Sequence, residues 1–104
     1  MIDITSKQLE EKIQNKDSFI VMFQSVVCEK CQTQRGILDY HNLEIFGVEC
    51  DDNPDEIITK FGVDIVPHIR VYHFGNPIWD KEDAISPLDL EIVKTHEKSI
   101  KTKL

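Results

Sequence analysis

Residues 19 to 34 read FIVMFQSVVCEKCQTQ: five apolar residues in succession, Phe19 to Phe23, then a short turn, then two cysteines three apart, Cys28 and Cys31. A run apolar at every position but too short for a buried helix suits a strand covered on both faces of a sheet, so the sheet is expected to be at least partly parallel. Residues 28 to about 41 read as a helix, in which Gly36 costs roughly 1 kcal/mol relative to alanine and marks a place to bend. A turn at the carboxyl end of a central strand, running into a helix, is the usual position of a site in α/β folds. The two cysteines stand there, and three readings are open: a redox pair, two ligands of a metal, or two neighbouring buried thiols.

Outward from this stretch the element types alternate. Ile2 to Ile4 reads as a short strand. Thr5 and Gln8 have capping-box spacing ahead of Leu9 and Ile13, predicting an amphipathic helix over 6–16. Leu43 to Cys50 returns to strand character, with Phe46, Val48 and Cys50 at alternate positions. The next helix has Asn53 as N-cap, Pro54 at its first position, Glu56 completing a capping box and Gly62 after its end. Ile69 to Phe74 and Ile78-Trp79, separated by Gly75-Asn76-Pro77, predict a hairpin, with Trp79 packing on it. Ser86-Pro87 opens a last helix with Leu88, Ile92 and Val93 inward and a lysine-rich end. This order, strand-helix-strand-helix-strand-helix-strand-strand-helix, requires helices on both faces of one sheet and gives an α/β domain over residues 1–104.

Composition bounds the function. A chain of 104 residues with 40% hydrophobic residues buries one ordinary core, so a single domain needing no disulfide support is expected. Twelve basic against nineteen acidic residues give a net charge of −7, and the basic ones are scattered, which argues against nucleic acid and anionic membrane surfaces as partners. Met1-Ile2-Asp3-Ile4 runs into polar sequence unlike a secretory signal, and no apolar run approaches membrane-spanning length, so a cytoplasmic location is expected. Three cysteines is an odd number, and any pair that forms is expected to be Cys28 with Cys31.

A cysteine that starts a helix faces unpaired backbone N–H groups and the positive end of the helix dipole, which makes Cys28 the expected nucleophile. Cys31, three residues on, lies on the same helix face within bonding reach but is better shielded, the expected resolving thiol. Glu29 and Lys30 between them carry opposite charges that cancel, leaving the helix terminus as the main activator.

Several pieces together carry a family likeness: the apolar strand ending in Phe23, CxxC at 28–31, Ile37-Leu38-Asp39 in the same helix, Asp51-Asp52-Asn53-Pro54 after the third strand, Phe61-Gly62-Val63 before Val66-Pro67, and Tyr72 to Gly75 near the hairpin. In this order and spacing the chain resembles the thioredoxin family over nearly its whole length. The resemblance implies a thioredoxin fold, a central mixed sheet of about five strands flanked by about four helices. It also implies that Pro67 follows a cis peptide bond beside the cysteines and that the backbone at Val66, Pro67 and His68 pairs with an extended substrate peptide.

The departures are as specific. Thioredoxins proper carry Gly-Pro between the cysteines, a tryptophan before the first, a buried aspartate in the preceding strand and a lysine on the next strand. This chain has Glu29-Lys30, Val27, Met22 and Gly47 there. The family's proton acceptor for the resolving thiol is absent, so Cys31 must lose its proton to water, a neighbouring carboxylate or by a slower route. His68 follows Pro67 where threonine is usual and is expected to stand near the sulfurs, favouring a thiolate when protonated. Gly36 replaces a helix-bending proline.

The reading that follows is a small cytoplasmic, monomeric thiol-disulfide oxidoreductase without bound cofactor. It reduces protein disulfides through a Cys28-Cys31 cycle and is itself reduced by a thioredoxin reductase, with NADPH upstream, or by glutathione. The alternatives are a non-enzymatic thioredoxin-fold interaction module and a CxxC metal protein. Zinc needs four N or S ligands, and Cys28, Cys31, Cys50 and the histidines at 41, 68, 73 and 96 include no second close pair, so no metal ligand is assigned. Cys50 is expected to be a buried strand residue, and Asp51-Asp52 the solvated approach to a helix N-terminus.

Overall fold

The computed structural model describes residues 1–102. One five-stranded sheet, in the order β1-β3-β2-β4-β5, is built from β1 (Ile2–Ile4), β2 (Phe19–Gln24), β3 (Phe46–Glu49), β4 (His68–His73) and β5 (Asn76–Glu82). β1, β3 and β2 run parallel, while β4 is antiparallel to β2 and β5 to β4. Four helices cover it: α1 (Ser6–Gln14), α2 (Glu29–Tyr40), α3 (Pro54–Phe61) and α4 (Pro87–Lys101).

β2 is buried at every position, which explains its unbroken apolar run. Alternate residues serve two cores. Phe19, Val21 and Phe23 meet Leu9 of α1 with Ile57 and Phe61 of α3, whereas Ile20 and Met22 meet Leu38 of α2 and Val93 of α4. The strand that delivers the site is thus held from both sides.

Local punctuation accounts for most boundaries. The Thr5/Gln8 capping box starts α1, which ends at Gln14, two residues short of the predicted end, because Asn15 caps it and Lys16 turns left-handed at φ 59°. α2 runs through Gly36 without interruption. Pro54 begins α3 and Gly62, left-handed at φ 67°, ends it, but Asn53 makes no side-chain cap bond. The expected capping box is absent there because Asn53 comes directly out of a 3-10 turn over Cys50–Asp52, and Glu56 instead takes the Ser6 hydroxyl at 3.2 Å and Lys60 at 3.7 Å.

Four further expectations are corrected. The third strand covers Phe46–Glu49 rather than 43–50: Leu43 N–H still closes α2 on Leu38 O, Glu44 N–H is held by Glu97, and Cys50 has already entered the 3-10 turn. β5 is seven residues long, its exposed edge carrying too little apolar alternation to read from sequence, with Pro77 tolerated at that edge beside a register shift at Val71/Tyr72. The hairpin turns on Phe74-Gly75, not Gly75-Asn76-Pro77, since both residues have positive φ (51° and 81°), the two-residue turn that matches strand twist. α4 opens at Ser86-Pro87 as expected, with a Ser86/Asp89 capping box that the sequence reading did not name, but of the three residues expected inward only Val93 is buried: Leu88 is 72% exposed, Ile92 lies outside the core cluster, and Leu90 and Ile100 join Val93 on the inward face. Among the described residues no helix is long and apolar enough to cross a membrane.

Candidate active site

β2 ends at Gln24, and Ser25-Val26-Val27 turns the chain so that Cys28 becomes the N-cap of α2. The Cys28 amide donates to Ser25 O at 3.1 Å, closing the turn. Cys28 Sγ accepts the Cys31 amide at 3.1 Å and lies 4.0 Å from Val66 O. Cys28 is half-buried, Cys31 fully buried. Burial, reinforced by Cys28, pushes the Cys31 thiol up to about 12, against the opposing pull of the Ser25 amide. One sulfur therefore faces outward at a helix terminus while the other is kept as a thiol beneath it.

The surround is apolar and open on one side. Val27 and Val26 are 86% and 67% exposed, and Ile65, on the loop that carries Val66, is 47% exposed. The Val66–Pro67 peptide bond is cis, and Pro67 is buried. Glu29 and Lys30 are both exposed, but Lys30 Nζ is held by Asp83 at 3.3 Å, so the two charges do not simply offset one another at the sulfur.

His68 is placed differently from expectation. Its register opposite Phe23 puts its side chain on the Phe23 face of the sheet, where the rings meet edge-on at 6.0 Å. Its Nε2 is 3.2 Å from Asp80 Oδ2 and its exposure is 2%. Burial and the nearby Arg70 guanidinium hold the imidazole below its ordinary 6.5, despite Asp80. It belongs to a cluster with Asp80 and Arg70, where burial and the guanidinium work against the charged imidazole.

Met22 is fully buried in the α2/α4 core, directly opposite Gly47. A side chain at Gly47 would put its Cβ 2.7 Å from Asp3 Oδ1, which Arg35 holds in a two-point ion pair at 2.8 and 2.9 Å. An Asp3–Arg35 pair therefore occupies the space beside that strand. Cys50 packs at the margin of the α1/α3 core, its thiol pushed up to about 11 by burial and by Glu49.

No protein-family model and no curated protein matches the sequence. Solved structures do match. Fasciola hepatica thioredoxin is 20% identical, with a TM-score of 0.74 over 92% of this chain and 99% of that one. Chlamydomonas reinhardtii thioredoxin f2 is 12% identical, with a TM-score of 0.76 over 93% and 96%. Chloroplastic thioredoxin z is 22% identical, with a TM-score of 0.72 over 94% and 95%. The chain has the thioredoxin fold. Within that fold the cis bond before Pro67 and the CxxC turn at the head of α2 meet, with Cys28 Sγ 4.0 Å from Val66 O.

Sequence reasoning missed the polar residues that end the two central parallel strands. Gln24 and Glu49 are paired in register, Ser25 Oγ donates to Asp51 Oδ2, and Glu49 Oε2 accepts the Asp51 amide at 3.2 Å. The signal was a polar residue closing each apolar run. Its meaning depended on a strand register that alternation alone does not give.

Proposed function

We propose that the protein is a thiol-disulfide oxidoreductase that reduces protein disulfides. The observation that carries this reading is the asymmetry of the cysteine pair: Cys28 Sγ, half-buried, capped by the Cys31 amide and ringed by exposed apolar residues, against a Cys31 with no exposed surface. Cys28 attacks one sulfur of a substrate disulfide, the S–S bond breaks, and the leaving thiolate takes a proton from water. Cys31 then loses its proton to water, attacks Cys28 Sγ and breaks the mixed disulfide, and the second substrate sulfur leaves as a thiolate that is protonated from water. The Cys31 amide stabilises charge returning to Cys28 Sγ as that sulfur leaves in the reverse exchange. Two electrons pass to the substrate and a Cys28-Cys31 disulfide remains, which a thioredoxin reductase or glutathione reduces.

In this reading Val66, Pro67 and the backbone of His68 border an extended peptide, with Val27 supplying apolar contact and Glu29 and Lys30 forming the rim. The protein acts as a monomer in the cytoplasm, where thiols are kept reduced. Replacing Cys31 with serine should accumulate a stable mixed disulfide with a model peptide disulfide, detectable by mass, and replacing Cys28 should abolish it. A Cys31→Ser protein that forms no adduct would remove the reading.

One observation favours a second reading, an interaction module without efficient exchange. Met22 takes the position at which the resemblance to thioredoxins implies a proton-accepting acid, and Cys31 holds its proton to about 12. A Cys28→Ser protein with undiminished biological activity would establish the module instead.

A further inference from the structure

The loop over residues 62–67 brings Val66 O to 4.0 Å from Cys28 Sγ. Its middle is exposed: Asp64 and Ile65 face solvent, and among the described residues neither makes a hydrogen bond. Its position is therefore set from its ends, where Val63 and Pro67 are buried.

Both ends lead to one carboxylate. The loop leaves α3 at Phe61, whose carbonyl accepts Arg70 Nη1 at 2.7 Å. It enters β4 at His68, whose Nε2 is 3.2 Å from Asp80 Oδ2. Arg70 Nη2 is 3.5 Å from that same oxygen and 3.5 Å from His68 Nε2. Alternation along β4 puts His68, Arg70 and Tyr72 on one face, and the pairing with β5 sets Asp80 directly opposite Arg70. Tyr72 adds its hydroxyl, 3.3 Å from Arg70 Nη1. Phe61 O, Arg70, Asp80 and His68 thus form a continuous bridge from one end of the loop to the other.

Stability does not account for this bridge. His68 and Arg70 are 2% and 9% exposed, and His68 Nδ1 and Arg70 Nε are buried without a hydrogen-bond partner, each having given up water for nothing. Apolar side chains of similar volume would cover the same face about as well, because a buried ion pair seldom outweighs its own desolvation. What directional, charged contacts add is a fixed separation between the groups they join.

We propose that Asp80 is a positioning residue for the exchange reaction: through Arg70 and His68 it fixes both ends of the 62–67 loop, so that the backbone at Val66 meets an extended peptide and Cys28 favours a disulfide carried on a peptide over a small one. The inference rests on the oxidoreductase reading, and its test separates the two.

The Cys31→Ser protein, which stops at the mixed disulfide, is given two reagents at rising concentration: dipyridyl disulfide, and an extended peptide whose single cysteine carries the same pyridyl disulfide. In each, Cys28 Sγ bonds to one sulfur, the S–S bond breaks and thiopyridone leaves, so the absorbance signal is shared and only the peptide differs. Mass mapping assigns the adduct to Cys28, with Cys28→Ser/Cys31→Ser as the blank for Cys50. Adding Asp80→Ala is expected to lower the second-order rate constant with the peptide by roughly tenfold, the scale of a small misplacement of reacting groups, and to leave that with dipyridyl disulfide unchanged. Asp80→Asn, which keeps one acceptor oxygen for His68 but loses the charge facing Arg70, should fall between. Circular dichroism at the assay temperature checks the fold, and if Asp80→Ala does not fold the comparison is made with Asp80→Asn alone.

A residue that merely stabilised the fold would leave both rates of the folded variant unchanged. That result, or an equal fall with both reagents, would overturn the inference and leave the exchange chemistry standing. A Cys28 that reacts with neither reagent would instead overturn the oxidoreductase reading. The bridge is then decided by NMR relaxation of the Ile65 and Val66 amides: greater motion in Asp80→Ala than in its parent supports a clamp on the loop, and equal motion overturns it.

Discussion

Cys31 has no exposed surface and its thiol is pushed up to about 12, chiefly by burial. Its thiolate fraction should grow about tenfold per pH unit throughout the range where an ordinary thiol would already level off. The rate at which Cys31 resolves a Cys28 mixed disulfide, followed by stopped flow, should therefore keep rising from pH 7 to pH 10. A plateau near pH 8.5 would contradict the burial argument. Glu49 gives a stability test. Its carboxyl is raised above the ordinary 4.5 by burial, so folding favours the protonated form. Its contribution is best below the ordinary value and is lost as pH rises through the folded one. Glu49→Gln should therefore raise the melting temperature at pH 7 and change it little at pH 4. The reverse pattern would mean that the carboxylate has a partner in the folded chain. At this scale Cys28 and Cys31 were legible because N-cap position and i, i+3 spacing are local properties. The His68 cluster was not, since its partner Asp80 is brought in by the pairing of β4 with β5.

The helices whose ends carry their own chemistry were read most accurately. Thr5 with Gln8, Ser86 with Pro87, Pro54 and Gly62 all act where the sequence places them. β5 was shortened because an exposed edge strand needs no apolar alternation, and the hairpin turn was displaced because Phe74 gives no sign of its positive φ. Two glycines make opposite predictions. Gly36 lies within α2 with nothing near its missing Cβ, so Gly36→Ala should stabilise by about 0.5–1 kcal/mol. Gly75 has φ 81° and its Cβ would fall 2.5 Å from Ile13 O, a backbone atom that cannot swing aside. Gly75→Ala should destabilise by more than about 1 kcal/mol in urea unfolding. Equal effects of the two substitutions would mean that the contact of the hairpin with α1 is wrongly drawn.

The two cores lie on opposite faces of β2, and losing either exposes that strand. Unfolding should then be a single cooperative transition. The only tryptophan, Trp79, packs at the margin of the α2/α4 core beside His96. Its fluorescence should change at the same denaturant concentration as the far-ultraviolet circular dichroism, and separate midpoints would show that the two faces melt independently. The fold was legible at this scale because element order and the buried central strand restrict the topology to few choices. The pairing of Gln24 with Glu49 was not, because it exists only once parallel strands are in register. The central claim is that Cys28 and Cys31 form a reversible couple. It is tested most directly by equilibrating the protein in graded glutathione buffers, trapping thiols by alkylation and mapping the bond by mass, with Cys28→Ser as control. The account predicts a smooth, reversible conversion to one intramolecular disulfide between these two residues. A folded protein that keeps both thiols free in the most oxidising buffer, or pairs Cys50 instead, would contradict it.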